Sequence, residues 1–291
     1  MAVLGVDIGG TKIAAGIVSE SAELLRLLTV PTKAADGFEI SIGQVFAAIE
    51  ECLRDDVAAI GICAPGPLNP KTGVVLNPPN LPGWRNVPLA ALVGERFGLR
   101  CRVENDANAA GLAETLFGAA RGFPSVLYVT LSTGVGAGII FDGKIYHGKN
   151  GAAAEGGHVT IDYASDAICN CGTPGCIEVL ASGTAIARKG MTPEQVSQGV
   201  AQGDPRAARI LDESCVMIGA WLGSMISLLD PDIIVIGGGV ARIGEPLFSR
   251  LRRIVPTRTI NQFASSTPIV SAQLAGNVGV IGAASVVLGK A

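Results

Sequence analysis

The chain has 291 residues, 48% of them hydrophobic and only 16% charged, enough apolar material for two ordinary domains or one large one. A net charge of −3 offers no basic face to nucleic acid, and Asp7 breaks the first apolar run with no cationic segment ahead of it, so neither a nucleic-acid reader nor a secretory leader is expected. The uncharged run 214–229 is short for a membrane span and contains Ser and Gly; it reads as a buried helix, and the expected compartment is the cytoplasm.

In chain order, VLGVDIGGTKIAAGIV (3–18) reads as strand, glycine turn, strand. A helix is expected over 38–54 and a buried strand over 57–63. Residues 65–84 are too rich in Pro and Asn for either and read as a long loop. A helix over 87–97, a strand ending at CRVEN and a helix over 106–117 follow, the last capped by Asn105 or Asp106. VLYVTLSTGVGAGII (126–140) repeats the opening pattern: Val3, Leu4, Val6 and Ile8 align with Val126, Leu127, Val129 and Leu131, and GGT with STG. This is an internal duplication, each half opening with a hairpin. A long helix over 205–230, a strand 232–240 running into a glycine turn, and a closing helix 277–289 complete an α/β chain.

Seven cysteines make an odd count, and in a reducing compartment they stay free thiols. Cys52, Cys63, Cys101 and Cys215 lie in apolar surroundings and read as core residues. Cys169, Cys171 and Cys176 crowd into a polar loop with His158, one of only two histidines. Three thiolates and one imidazole form a closed tetrahedral zinc set with no open position, the structural kind; the alternative is three free thiols and a coincidental His.

Three further stretches carry chemistry. The glycines of DIGGTK (7–12) can turn backbone N–H groups toward a phosphate, with Asp7 able to hold hydrated Mg²⁺, or can simply close a tight hairpin. In ENDAN (104–108) an Asp at a strand-to-helix junction can take a proton from a hydroxyl, or merely cap the helix. Glu155, His158 and Glu178 suit a polyhydroxylated ligand, or are solvated loop charges.

Together, DIGGTK, APGPLN, NPPNLPGW, ENDAN, LSTGVGAG, EGGH, CNCGTPGC and VIGGGV resemble, in order and over nearly the whole chain, the ROK family of repressors and sugar kinases. The resemblance implies the two-domain actin-like, ribonuclease H-like ATPase fold with a duplicated core closing over a cleft. It puts an N-terminal domain at 1–117, a C-terminal domain with the zinc loop at 118–276, and a last helix, 277–291, returning to the first domain. It implies ATP-dependent phosphorylation of a hexose 6-hydroxyl, glucose above all, with N-acetylmannosamine, fructose or another hexose as alternatives. By the same resemblance Asp106 is the catalytic base, and Asn80, Asn105, Asp106, Glu155, His158 and Glu178 hold the sugar. Asp7 faces Mg²⁺; Gly9, Gly10, Thr11, Lys12, Thr133 and Gly134 surround the ATP phosphates; Gly238 and Gly239 lie near the adenosine. Zn²⁺ on His158, Cys169, Cys171 and Cys176 staples His158 and Glu178 in place, so loosening it is expected to affect the sugar and spare the distant glycine turns. A homodimer or homotetramer, with no membrane or nucleic-acid partner, completes the picture.

The chain departs from the family pattern at AEGGH, where G-E-I-G-H is common: Ala154 stands for Gly and Gly156 for Ile. A family repressor would need a helix-turn-helix ahead of the first strand, which begins at Val3 here; an actin-like ATPase without a sugar would not need the zinc loop.

Overall fold

The computed structural model describes residues 2–288. Contacts divide them into two compact units, one of residues 2–121, 138–153 and 276–288, the other of 122–137 and 154–275.

The first unit is built on strands β1 (Ala2–Ile8), β2 (Lys12–Ser19), β3 (Leu24–Pro31), β4 (Val57–Ala64) and β7 (Arg100–Asn105), in the order β3-β2-β1-β4-β7. β2 runs antiparallel to both its neighbours, β1 and β3, while β4 and β7 extend the sheet parallel to β1. The expected loop at 65–84 contains a small antiparallel ribbon, β5 (Leu68–Asn69) with β6 (Val74–Val75). Period-two alternation gives the sheet two apolar faces. Leu4, Val6 and Ile8 share one core with Ile42, Val45 and Ile49 of α1 (Phe38–Cys52) and with Leu89 and Val93 of α2 (Leu89–Phe97). Val3, Val18 and Ala59 point the other way, to Val280, Ala284 and Val287 of α9 (Val278–Leu288), which also packs along α3 (Asp106–Phe117). The last helix thus completes the first unit's core; residues 289–291 of the expected helix lie outside the described ones. Two glycines admit it. A Cβ on Gly61 would stand 1.8 Å from the Ala283 carbonyl oxygen, and one on Gly5 2.1 Å from that of Val280, so backbone meets backbone there.

The second sheet has strands β8 (Ser125–Leu131), β9 (Val135–Phe141), β10 (Lys144–Ile145), β11 (Ile233–Gly237) and β12 (Ile269–Ser271), ordered β10-β9-β8-β11-β12. Position by position this is the first sheet again: β8 stands for β1, β9 for β2, β11 for β4. Leu4 pairs with Ile60 and Val6 with Ile62; their aligned counterparts Leu127 and Val129 pair with Ile234 and Ile236. The duplication read from the sequence is therefore a duplication of topology.

The second unit's helices are α4 (Ile177–Ala181), α5 (Gly183–Arg188), α6 (Pro193–Ala201), α7 (Pro205–Leu229) and α8 (Glu245–Ile254). Asp204 caps α7, its carboxylate accepting from the Arg206 N–H at 2.8 Å, with Pro205 in the first turn where no N–H is needed. The helix stops one residue short of expectation because Asp230 turns left-handed at φ 42°. By length and composition alone α7 could cross a membrane, but 61% of its most apolar window is buried in the protein, and Trp221, Leu222 and Ile218 are fully inside. It is a core helix, as read.

Candidate active site

In the first unit the parallel strands β1, β4 and β7 end side by side, with Asp7 in register with Cys63 and Cys63 with Glu104. Strand ends of parallel α/β sheets are where such proteins gather polar groups. The Asp7 carboxylate is mostly buried there. Burial raises its carboxyl above the ordinary value, and the Cys63 thiol donates to Oδ1 at 3.4 Å. Its other oxygen is wedged against α9: a Cβ on Gly279 would stand 2.1 Å from Oδ2. Cys63 thus does more than fill core, since it touches the predicted magnesium residue. A desolvated carboxylate at this strand end is a fitting oxygen donor for a hard divalent cation.

The turn after β1 is narrow. Gly9 N–H donates to the Lys12 carbonyl at 2.9 Å, and Thr32, fully buried, locks the turn from behind by donating Oγ1–H to Gly9 O at 2.6 Å and N–H to Thr11 O at 3.0 Å. Gly10 faces Asn80: a Cβ there would stand 2.8 Å from the Asn80 carbonyl oxygen. The Asn80 loop is held by Trp84, fully buried, whose indole N–H donates to Ser41 Oγ at 2.8 Å and whose ring meets Phe38 edge-on. A predicted phosphate turn and a predicted sugar residue are therefore direct neighbours.

The cap of α3 is Asn105, not Asp106. Its Oδ1 accepts from the N–H groups of Ala107 at 2.9 Å and Asn108 at 3.2 Å, which leaves its amide nitrogen to donate elsewhere. Asp106 is the exposed first residue of the helix, where the helix dipole favours a carboxylate. The preceding residue, Glu104, is buried and saturated. Oε1 accepts from Asn105 N–H at 2.8 Å and Asn108 Nδ2–H at 3.1 Å, and Oε2 lies 2.6 Å from His147 Nε2. Neither Glu104, His147 nor Thr32 was singled out by the sequence. Only the pairing of the chain's second histidine with a Glu buried among apolar strand residues could have signalled one of them.

In the second unit the equivalent turn, Ser132–Gly134, is closed by Ser132 N–H donating to Gly134 O at 2.9 Å. The Thr184 hydroxyl donates to Thr133 O at 2.8 Å, and Gly183 N–H to Ser132 O at 2.7 Å. Glu178, at the start of α4, lies directly on this turn. Its Oε2 accepts from Val135 N–H at 3.1 Å, and a Cβ on Gly134 would stand 2.3 Å from the same oxygen. Its Oε1 lies 3.7 Å from Cys169 Sγ. This corrects one expectation: the cysteine loop is not remote from the second glycine turn but linked to it by one carboxylate. Gly238 follows β11 at φ 88° with its Cα against Leu131, and Gly239 beyond it has open space around its Cα.

The loop itself brings all four predicted metal ligands together. Cys171 and Cys176 sulfurs are 3.7 Å apart, Cys169 Sγ is 3.5 Å from His158 Nδ1, and the four ligand atoms all lie within 4.8 Å of one another. Around a tetrahedral zinc with bonds of about 2.0–2.3 Å, such edges measure roughly 3.5–3.8 Å. The Thr173 backbone holds the Cys171 thiol down to about 6, which favours its thiolate, whereas burial pushes the Cys169 thiol up and that of Cys176 to about 12. Donor chemistry and spacing both fit zinc. Left-handed Gly172 and Gly175 make the turns, and a Cβ on Gly175 would run into the Asp162 carbonyl at 1.7 Å.

Glu155 precedes the short 3₁₀ turn Gly156–His158 and His158 ends it, both exposed. Both family departures acquire a physical meaning here. Ala154 adopts φ 67°, a conformation glycine takes freely. Gly156 sits under Trp221, whose Cζ2 would be 3.0 Å from a Cβ; the indole takes the volume a larger residue would need.

Comparison with known proteins agrees with this architecture. The model of the ROK family matches residues 3–290. The glucokinase of Thermotoga maritima is 35% identical, the alignment covering 98% of this chain and 96% of that one. The N-acetylmannosamine kinase of Yersinia pseudotuberculosis is 32% identical over 97% and 96%. Among solved structures, a ROK family glucokinase from Streptomyces griseus in complex with glucose and AMPPNP superposes with a TM-score of 0.85 at 36% identity, covering 98% of this chain and 99% of that one. With two copies of one sheet topology, a glycine turn after the first strand of each, and a match running almost end to end, the chain belongs to the ROK family.

Proposed function

We propose that the protein is an ATP-dependent hexose kinase that phosphorylates the 6-hydroxyl of glucose. The carrying observation is the junction of β7 and α3, where Asn105 caps the helix and Asp106 stands exposed as its first residue, its Oδ1 accepting from Ala107 N–H at 2.8 Å. The glucokinase relatives, one seen with glucose and AMPPNP, support this reading.

In the reaction Asp106 accepts the proton of the sugar hydroxyl as its oxygen attacks the γ-phosphorus, and ADP leaves with the bridging oxygen. By the family resemblance, Asn80, Asn105, Glu155, His158 and Glu178 orient the sugar's hydroxyls. Backbone N–H groups at Gly9, Gly10 and Thr11, with Lys12, and at Thr133 and Gly134 receive phosphate oxygens. Gly238 and Gly239 leave room for the adenosine. A Mg²⁺ ion beside Asp7 would neutralise phosphate charge.

His158, Cys169, Cys171 and Cys176 would hold zinc, whose four protein ligands leave no place for water, so its contribution is rigidity alone. With Nδ1 committed to the metal, His158 keeps Nε2–H in a fixed tautomer for a sugar hydroxyl. We place the enzyme in the cytoplasm as a homodimer or homotetramer, which light scattering measures directly. The decisive test is ADP release over a panel of hexoses and N-acetylhexosamines. Turnover on glucose above the others is expected; turnover on N-acetylmannosamine alone would reassign the substrate, and none on any sugar would overturn the reading.

A further inference from the structure

The first unit contains a cavity of about 560 Å³ that none of the roles above uses. That volume lies in the range of small-molecule sites. Apolar residues from three elements line it, Val103 of β7, Leu112 of α3 and Val286 of α9. So do three cations: Lys71 between β5 and β6, Arg102 on β7 itself and Lys144 on β10. The only acidic lining residue is Glu104, which is 3% exposed and already bonded to His147. Among the described residues none of the three cations is ion-paired; Lys71 Nζ donates only to the Lys149 carbonyl, at 3.1 Å.

Three like charges around one concavity repel one another, and the single carboxylate of the lining, Glu104, is bonded to His147 rather than to any of them. A dianion would, through charge-assisted hydrogen bonds that Lys and Arg make readily with phosphate oxygens. The apolar lining asks for a carbon skeleton beside the anionic head. We propose that this cavity is a binding site for a small phosphate monoester, separate from the residues assigned to sugar and nucleotide.

The site has a route to the chemistry. His147 lines the cavity, its Nε2 is bonded to Glu104, and Glu104 accepts from Asn105 N–H and Asn108 Nδ2–H at the head of α3. A ligand that contacts the exposed part of His147 therefore acts on the junction that presents Asp106. On the proposed kinase reading, occupancy changes the sugar affinity, and sugar changes the ester affinity by the same factor.

Calorimetric titration of the full chain, without sugar or ATP, tests the site directly. Glycerol 3-phosphate and inorganic phosphate are the probes, and the variant is Lys71→Ala/Arg102→Ala/Lys144→Ala, whose three residues are exposed and lie outside the proposed catalytic machinery. Its melting temperature and basal turnover serve as controls. One equivalent of the ester should bind the wild type, more tightly than inorganic phosphate, and roughly tenfold or more weakly in the triple variant. Equal affinity in both proteins would place the anion elsewhere and overturn the site, as would no heat from either probe. Inorganic phosphate binding as tightly as the ester would overturn the ester assignment. A protein that binds the ester at these residues but phosphorylates no hexose refutes the kinase reading and leaves the site standing.

Discussion

Replacing Gly134 by alanine puts a methyl carbon 2.3 Å from Glu178 Oε2 and 3.1 Å from its carboxyl carbon, where ordinary contact begins at 3.4 Å. The backbone of Gly134 is not left-handed, so the turn itself accepts alanine. What must give way is the Glu178 carboxylate, by about 1 Å. That breaks its bond from Val135 N–H and pulls it off Cys169 at once. A misplacement of that size in a positioning group costs on the order of 10²-fold in rate. Gly134→Ala should therefore lower kcat/KM for glucose by about two orders of magnitude, and raise the KM for ATP as well, because the same carboxylate braces the turn proposed for phosphate. Steady-state ADP release with each substrate varied in turn measures both. In a Glu178→Ala background the methyl has nothing to displace, so adding Gly134→Ala should cost little more. Wild-type kinetics for Gly134→Ala, or penalties that simply add in the double variant, would refute the reasoning.

Asp106→Asn should lose roughly 10²–10⁴-fold in kcat while glucose still binds in calorimetry, as expected for loss of a general base. Metal analysis of the pure protein should find about one zinc per chain; Cys171→Ser should lose it, raise the glucose KM, lower kcat and, through Glu178, weaken ATP as well. Ala154→Gly should relieve left-handed strain of about 1–2 kcal/mol against an unfolded-state loss of about 0.4–1, for a net gain of about 0.8 kcal/mol in denaturant unfolding. Burial raises the Asp7 carboxyl, so the ionised group opposes folding once pH exceeds its folded value, and that penalty is gone below its ordinary 3.8. Asp7→Asn should accordingly raise the melting temperature at neutral pH, by a margin that shrinks toward acid, while abolishing turnover.

Legibility followed periodicity and punctuation. β1, β4, β8 and α3 are apolar runs followed by Gly9, Pro65, Ser132 and Gly118, and they stand within a residue or two of where the sequence puts them. The register repeat of β1 in β8 was visible because buried strands on equivalent positions keep the same side-chain volumes. β3 has no counterpart among the expectations: it is an edge strand whose Leu25 and Leu27 are about half exposed, so its leucines mark no inner face. The four predicted metal ligands, which the fold does bring together, declared themselves by residue type. The Glu104–His147 pair and the Thr32 clamp did not, because each joins residues far apart in sequence by a hydrogen bond, and no local spacing encodes such a partner. The closeness of Glu178 to Gly134 was hidden for the same reason.

The return of α9 to the first sheet also fixes an order of events at the ribosome. Gly5 and Gly61 wait for the backbone of Val280 and Ala283, so the first sheet keeps that apolar face without its α9 cover until α9 has been synthesised. At about 5–20 residues per second, the roughly 220 residues between Gly61 and Ala283 amount to about 10–45 s of exposure. The second sheet closes with β12, before α9 is made, and can mature first. Chaperone demand should thus fall on the nascent first unit, and a C-terminal truncation of a dozen residues should harm the part of the protein made first.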